Sequence, residues 1–266
     1  FTIKSDQKHV INGDSISNFS AGKPVFRTGI NYQVAEATFI RSSWGQGFRF
    51  PSMAELFISA NQGGLEIYPN PDLKPEKGWS AEIGVKQGVK SGKWIGFIDI
   101  AGFLMQYDDM MEFSFGGWGN PLTDRLFGLG FKSINVGKTQ ISGVEVSMTW
   151  QGKIHSDLTI NILAGYTYLN STSLSPDEPY AILDRPINLG GEVIDTLTYN
   201  NNSSDPSVLK YRYTHIAKLD IEMLFKKLSI GGGLRYNDFM KNIDKIFTEE
   251  FVGGDNGMIP GINSAR

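Results

Sequence analysis

Polar and apolar positions alternate with a period of two in eight separate stretches of this chain, the period of a β-strand whose successive side chains point to opposite faces. In the first stretch, about Val25 to Val34, Phe26, Thr28, Ile30, Tyr32 and Val34 oppose Arg27, Gly29, Asn31 and Gln33. The second runs from 37 to about Gly47, and the third, ending near Val89, sets Trp79, Ala81, Ile83 and Val85 against Ser80, Glu82, Gly84 and Lys86. The fourth, Trp94 to about Phe113, is blurred because Ile95, Phe97, Ile98, Ile100 and Phe103 occupy both faces, which suggests an apolar contact on the inner side as well. The fifth, about Ile134 to Trp150, places Val144, Val146 and Met148 opposite Glu145, Ser147 and Thr149. The sixth alternates from Leu158 to Tyr168, the seventh from Ala217 to Phe225 and the eighth from Leu228 to Tyr236.

The connections alternate too. They are short after strands one, three, five and seven, as at Ala35–Glu36 and Lys226–Lys227, and long after the others. In the first long connection Ser52 and Glu55 form a capping box, which predicts a short helix from Met53 to about Ala60. Three prolines between Pro69 and Glu76 then make a rigid corner. Gly116 to Lys132 reads as a Gly, Pro and aromatic loop, and the connection from 169 to Leu209 is far beyond ordinary loop length, hence functional or disordered. Residues 1–22, with a turn signal at Asn12, Gly13 and Asp14, and residues 241–266 also read as loops. Short turns at one end and long loops at the other are the pattern of an outer-membrane barrel, with periplasmic turns and extracellular loops. The fold class expected is therefore all-β, an antiparallel transmembrane β-barrel.

Composition narrows the chemistry. The 266 residues carry a net charge of −3, which gives no argument for nucleic acid as a partner. There is no cysteine, hence no disulfide framework and no thiolate metal site. No run of 18 apolar residues exists, since the longest, Trp94 to Met105, is interrupted by Asp99, so a helical membrane span is excluded. His9, His155 and His215 are scattered, no nucleophile elbow, phosphate loop or metalloprotease spacing appears, and neither a catalytic residue nor a metal or other cofactor is expected. On the polar faces Arg27, Arg41, Lys86, Lys218 and Arg235 mix with Glu82, Glu145, Asp220 and Glu222. Placing them outward is excluded, because Arg or Lys on the lipid face near mid-membrane costs about 2–4 kcal/mol. A hydrated inner wall with cross-strand ion pairs accounts for them. Trp44, Trp79, Trp150, Tyr166, Tyr168 and Tyr236 fall near strand ends and fit an interfacial girdle.

Three stretches carry a resemblance. The order GQGFR (45–49), PS (51–52), AELF (54–57) and NPDLKPE (70–76), followed by an alternating strand, resembles the barrel of TonB-dependent outer-membrane receptors, especially those of Bacteroidetes-type bacteria. NVGKTQISGVEV (135–146) and LKYRYTHIAKL (209–219) are similar to the same barrel, in the right order. The resemblance implies that residues 1–266 are about eight strands of a 22-stranded barrel, the plug domain and final strands lying elsewhere in the same polypeptide. It implies active import of a large scarce ligand across the bacterial outer membrane, most readily an iron–siderophore or haem, with TonB and its inner-membrane motor complex as partners. Outer-membrane lipid surrounds such a barrel, and a surface lipoprotein is a possible further partner. A SusC-like glycan importer, a phospholipase-type barrel enzyme and a plugless surface barrel are the alternatives. On the same basis Arg41, Glu82, Lys86, Glu145, Lys218 and Glu222 are candidates to face the plug, and Trp118, Tyr180, Arg185 and Tyr199 are candidates to meet substrate in the loops.

Overall fold

The computed structural model describes residues 10–11, 14–15, 24–62, 65–189 and 191–248. Its framework is one eight-stranded antiparallel meander of β1 (Arg27–Ala35), β2 (Thr38–Arg49), β3 (Glu76–Ser91), β4 (Trp94–Asp108), β5 (Thr139–His155), β6 (Leu158–Ser173), β7 (His215–Phe225) and β8 (Leu228–Asn237). Among the described residues each strand pairs only with its sequence neighbours, which leaves β1 and β8 at the two edges of the described sheet. Two-residue turns join the strands at one end, centred on Glu36–Ala37, Gly92–Lys93, Ser156–Asp157 and Lys226–Lys227. Gly92 (φ 59°) and Lys226 (φ 55°) take the left-handed conformation that such tight hairpins need.

Register fixes the faces. Tyr32, Ile40, Val85, Ile100, Val146, Tyr166, Ala217 and Tyr236 form a single transverse row across all eight strands, apolar apart from its phenol hydroxyls. One residue along, Asn31, Arg41, Gly84, Ala101, Glu145, Thr167, Ile216 and Asn237 make the row of the other face. The first face turns large apolar groups outward, Ile83 at 63% exposure and Leu234 at 73%. That face suits hydrocarbon and the other suits water. The apolar band is also oblique. On β2 it runs from the shared row at Ile40 up four residues to Trp44, whereas on β8 it runs from Leu228, eight residues below that row, up to it at Tyr236, so its midpoint shifts six residues over six strand spacings. A drift of roughly one 3.3 Å residue per 4.8 Å strand spacing corresponds to a strand tilt of about 35°, that of a membrane barrel wall. Among the described residues no helix is long and apolar enough to cross a membrane.

The long connections are folded into a cap, which the alternation of the sequence did not disclose. Strand four does not continue to Phe113, nor does strand five begin at Ile134. Asp109 (φ 56°) and Gly137 (φ 81°) turn the chain sharply out of the spanning sheet. Backbone bonds between Met110 and Gly137 and between Val136 and Met110 clamp the two exits together. Met111–Gly117 and Leu129–Asn135 then pair with each other, and Leu65–Tyr68 adds in parallel to the latter, with Ala60–Gln62 at the edge. The connection after β6 is ordered as well, with a hairpin, Ala181–Leu189 against Glu192–Leu197, and the one-turn helix α2 (Tyr199–Asn202). The earlier helix, α1, spans Met53–Phe57, its capping box formed by Ser52 and Glu55, and it stops before the expected Ala60 because that residue begins a strand. Beyond β8, Ile246 and Phe247 insert into the cap core beside Phe115, Trp118, Leu183, Leu197, Tyr199 and Leu209. The turn expected at Asn12–Asp14 and the segment after 248 lie wholly or partly outside the described residues.

Candidate functional site

Two surfaces hold the candidate residues, the polar wall of the sheet and the cap. On the wall, β2, β3 and β4 converge on one guanidinium. Arg41 donates from Nε to Glu82 Oε1 at 2.9 Å and from an η nitrogen to Asp99 Oδ2 at 2.6 Å. Arg41 and Asp99 are two strands apart, so the side chain has to cross β3, and it crosses at Gly84, where any Cβ would lie 3.0 Å from Arg41 Cζ. Asp99 had marked itself in the sequence as the one charge interrupting an apolar run, yet its partner could not be named without register. Glu222 is satisfied in the same way by Asn161 Nδ2 at 2.9 Å and Ser229 Oγ at 2.8 Å, with Gln151 donating to Asn161 in turn. Of the six wall candidates, Arg41, Glu82 and Glu222 are therefore held by the wall itself.

The other three are not ion-paired among the described residues. Lys86 rests its ammonium 3.9 Å from the centroid of Phe97, an inward-facing aromatic that explains the blurred period of strand four. Lys218 lays its stem over Gly165, where a Cβ would come within 2.9 Å of Lys218 Cε. Glu145 receives only a 3.3 Å bond from Thr167 Oγ1. Lys86 and Lys218 share one row with Asp99, Ser147 and Gly165 between them, and Glu145 stands one row further toward the cap. These three candidates, two cations and one anion, are therefore open to whatever occupies the space the wall faces.

The cap candidates have mostly become core. Tyr199 is fully buried, where its hydroxyl donates to Glu112 Oε2 at 2.8 Å and accepts the Lys210 N–H at 2.9 Å. Trp118 is 6% exposed and donates to the Ser114 carbonyl at 3.2 Å, with Lys132 above its ring. Tyr180 is half-buried and accepts from Asn202 Nδ2 at 3.1 Å. Trp118 and Tyr199 thus lie in the cap core, and Tyr180 packs against it. Arg185, half-buried against Gly117, keeps an Nε without a partner and stays the one loop candidate with a free donor.

Sequence reasoning missed the polar centre of the cap altogether. Lys210 and Asp244, both at zero side-chain exposure, pair at 2.6 Å. Lys210 Nζ also donates to Ser114 Oγ at 2.8 Å, Tyr211 O–H donates to Asp244 Oδ2 at 2.6 Å, and Asn202 Nδ2 reaches both Ser114 and Asp244. These bonds tie together the strand after β4, the connection after β6 and the segment after β8. Burial pulls the Lys210 ammonium down, but Asp244, Tyr180 and Glu112 outweigh it and hold the ammonium above its ordinary range. Burial pushes Glu112 up to about 6, against the opposing pull of Lys210. No group of three or more His, Asp or Glu side chains that could hold a metal ion occurs among the described residues.

The family model described as TonB dependent receptor-like, beta-barrel, matches residues 2–245. A hemoglobin-haptoglobin utilization protein B of Neisseria meningitidis is 22% identical over 196 residues, which is 65% of this chain and 23% of that protein. A hemoglobin and hemoglobin-haptoglobin-binding protein A of Haemophilus influenzae is 22% identical over 263 residues, 84% of this chain and 24% of its own length. The chain thus spans about a quarter of the length of these relatives. Among solved structures, the hemophore receptor of Serratia marcescens, in complex with its hemophore and heme, superposes with a TM-score of 0.50 at 13% identity, over 86% of this chain and 34% of that one. At that identity the likeness is one of fold.

Proposed function

The chain belongs to the TonB-dependent receptor-like β-barrel family, and from that premise we propose that it supplies part of the wall and cap of an outer-membrane active importer for iron-bearing ligands, haem or a haem-carrying protein first and ferric siderophores second. The family sets the location, the bacterial outer membrane, and the class, receptor rather than enzyme. The observation that carries the transport reading is the inner wall, where Lys86, Glu145 and Lys218 stand without an ion pair beneath an ordered cap. On this reading they meet a plug domain, while Arg41, Glu82 and Glu222 keep the wall in shape. TonB and its motor complex supply the energy, a surface lipoprotein is a further partner to look for, and Arg185 is the loop residue best placed to touch cargo. The preference for haem follows the names of the curated relatives.

The test is nutritional. Deleting the coding region in its host and supplying iron only as haemoglobin, haemin or a ferric siderophore should abolish growth on the haem sources, and a protonophore should abolish uptake by the intact strain. Normal growth on every iron source, with lost growth on a glycan, would move the protein to the glycan importers.

A further inference from the structure

The stretches GQGFR, NPDLKPE and NVG meet at one place, the bend where the chain leaves the wall for the cap. β4 and β5 continue past Asp109 (φ 56°) and Gly137 (φ 81°) as the ribbon Met111–Gly117 against Leu129–Asn135, so the cap sheet is hung from the wall by two strands, each bent at a left-handed residue. The bonds between Met110 and Gly137 and between Val136 and Met110 join these two strands only to each other. Such a ribbon is a hinge, because a few residues at the ends of elements can absorb a large change in backbone angle.

What spans the hinge comes from the neighbouring connection, whose proline-fixed corner lies against it. Asn135 acts as a clip. Its Oδ1 accepts the Lys74 N–H at 2.9 Å, and its Nδ2 donates to the Lys74 carbonyl at 2.9 Å and the Asp109 carbonyl at 2.7 Å. Glu76, the first residue of β3, stands opposite Arg49, the last of β2. One of its oxygens accepts from Arg49 Nε at 2.6 Å and the other from the Met111 N–H at 2.6 Å. Arg49 is fixed in turn by Glu55, whose oxygens it meets at 2.9 and 3.0 Å, and Glu55 closes the capping box of α1. A guanidinium suits the place, since its planar fork serves two carboxylates in one geometry.

We infer that Arg49, Glu76 and Asn135 are positioning residues that set the angle of the cap over the lumen, and that cargo is admitted with the cap held at that angle. The cap interior has its own means of cohesion in its apolar cluster and the Lys210–Asp244 pair. The bonds of the bracket run instead from the wall and the corner to the two ribbon strands at the bend, where they can stop a swing without being needed for the fold on either side. One set of contacts keeps the cap folded and the other keeps it aimed. The aiming rests on the fold alone, while its effect on uptake rests on the importer reading.

The experiment attaches spin labels to the full-length protein through Leu122→Cys, exposed in the cap, and Ser42→Cys, on the outer face of β2, and measures the distance between them with and without Arg49→Ala/Asn135→Ala. The parent should give one narrow distance distribution and the double variant one about twice as wide or wider. Hydrogen exchange across Met111–Gly117 and Glu192–Leu197 should match the parent, because the cap interior is intact. With haemin as the probe, the concentration for half-maximal uptake should rise about fivefold while the maximal rate is unchanged. Heat-modifiable migration on gels shows whether the double variant has folded, and if it has not, Asn135→Asp, which keeps the acceptor for Lys74 and removes both donated bonds, replaces it. A parent that takes up no haemin fails the importer reading and leaves the distance measurement to decide the role of the bracket. An unchanged distribution, or an unchanged half-maximal concentration in a protein that does take up haemin, would overturn the inference. So would a wider distribution accompanied by faster exchange throughout the cap, which would make these residues part of its core.

Discussion

The spanning sheet and the cap are continuous in the chain and opposite in construction. In the sheet the large apolar groups point away from the protein and the charges line the inside, Arg41 crossing Gly84 to its partners and Lys218 lying over Gly165. In the cap Leu197, Tyr199 and Leu209 are fully buried, and Lys210 and Asp244 enter that interior as a pair within a hydrogen-bonded network. The reason is solvent. Hydrocarbon rewards an apolar outer face and forbids open backbone polar groups, so the sheet needs only a period of two and complete ladders. Water rewards an apolar interior, so the cap has to assemble one from segments far apart in sequence, and a fixed polar centre brings those segments to one arrangement.

Reversing the two environments is the most drastic challenge to this contrast. Single cysteines at Leu122, in the cap and 92% exposed, and at Lys227, in a two-residue turn, should react all or none with a membrane-impermeant maleimide on intact cells, position 122 labelled and 227 silent. Labelling at 227 alone would invert the topology. Next in size is the cap centre. Lys210→Met leaves Asp244 buried without its cation, and breaking such a pair from one side costs about 3–5 kcal/mol. Hydrogen exchange should then rise throughout the cap while the heat-modifiable sheet is unchanged. The double change Lys210→Met/Asp244→Leu should recover most of the loss, because two apolar groups leave no orphan charge. If exchange rises equally in the spanning strands, the two regions are not separable in the way their construction implies.

That contrast also explains what the sequence disclosed. The eight strands were legible because each has one watery and one oily face, and a half-exposed strand writes its period into the chain. Val144, Val146 and Met148 against Glu145 and Ser147 is such a case. The strand Met111–Gly117 was not legible, since Met111, Glu112, Ser114 and Phe115 are all buried whichever face they take, and the alternation disappears. The turning points Asp109 and Gly137 are matters of backbone dihedral and leave little trace in hydropathy. The burial of Trp118 and Tyr199 was not legible either, since aromatics in a stretch that reads as loop look exposed, and the core they share with Leu197 exists only in the assembled cap. The importance of Lys210 and Asp244, 34 residues apart, depends on an encounter that spacing cannot show.

The same contrast of environments holds between neighbouring residues inside the sheet. Val146 and Glu145 are neighbours on β5, one on the shared apolar row and one on the inner row with Arg41 and Thr167. Near mid-membrane Val146→Arg should lower stability by about 2–4 kcal/mol, whereas Glu145→Gln, in water and held by one weak bond, should cost much less. Urea titration of both variants of the full-length protein in lipid vesicles measures the difference, and equal losses would mean that the faces have been exchanged.

The smallest effect is the most specific to the cap. Glu112 is buried, accepts from Tyr199 at 2.8 Å, and has its carboxyl pushed up to about 6 from the ordinary 4.5, burial being the larger cause and Lys210 the main opposing one. A carboxyl whose folded value is raised binds its proton more tightly in the folded cap than in the unfolded chain. Its contribution to stability is therefore full below pH 4.5, falls as the pH rises through about 6, and stays lost above that. The shift corresponds to about 2 kcal/mol at most. Glu112→Gln keeps an acceptor for Tyr199 and has nothing to ionise, so at pH 7.5 the variant cap should be more protected from hydrogen exchange than the parent by up to that amount, and at pH 4 the two should agree. The spanning sheet should show no such difference at either pH, because the partners of Glu112, Tyr199 by hydrogen bond and Ile134 by register, both lie in the cap. A variant less protected than the parent at pH 7.5 would mean that the ionised carboxylate is needed to balance Lys210, and that the cap centre works as a three-charge cluster instead of a pair with an acid beside it.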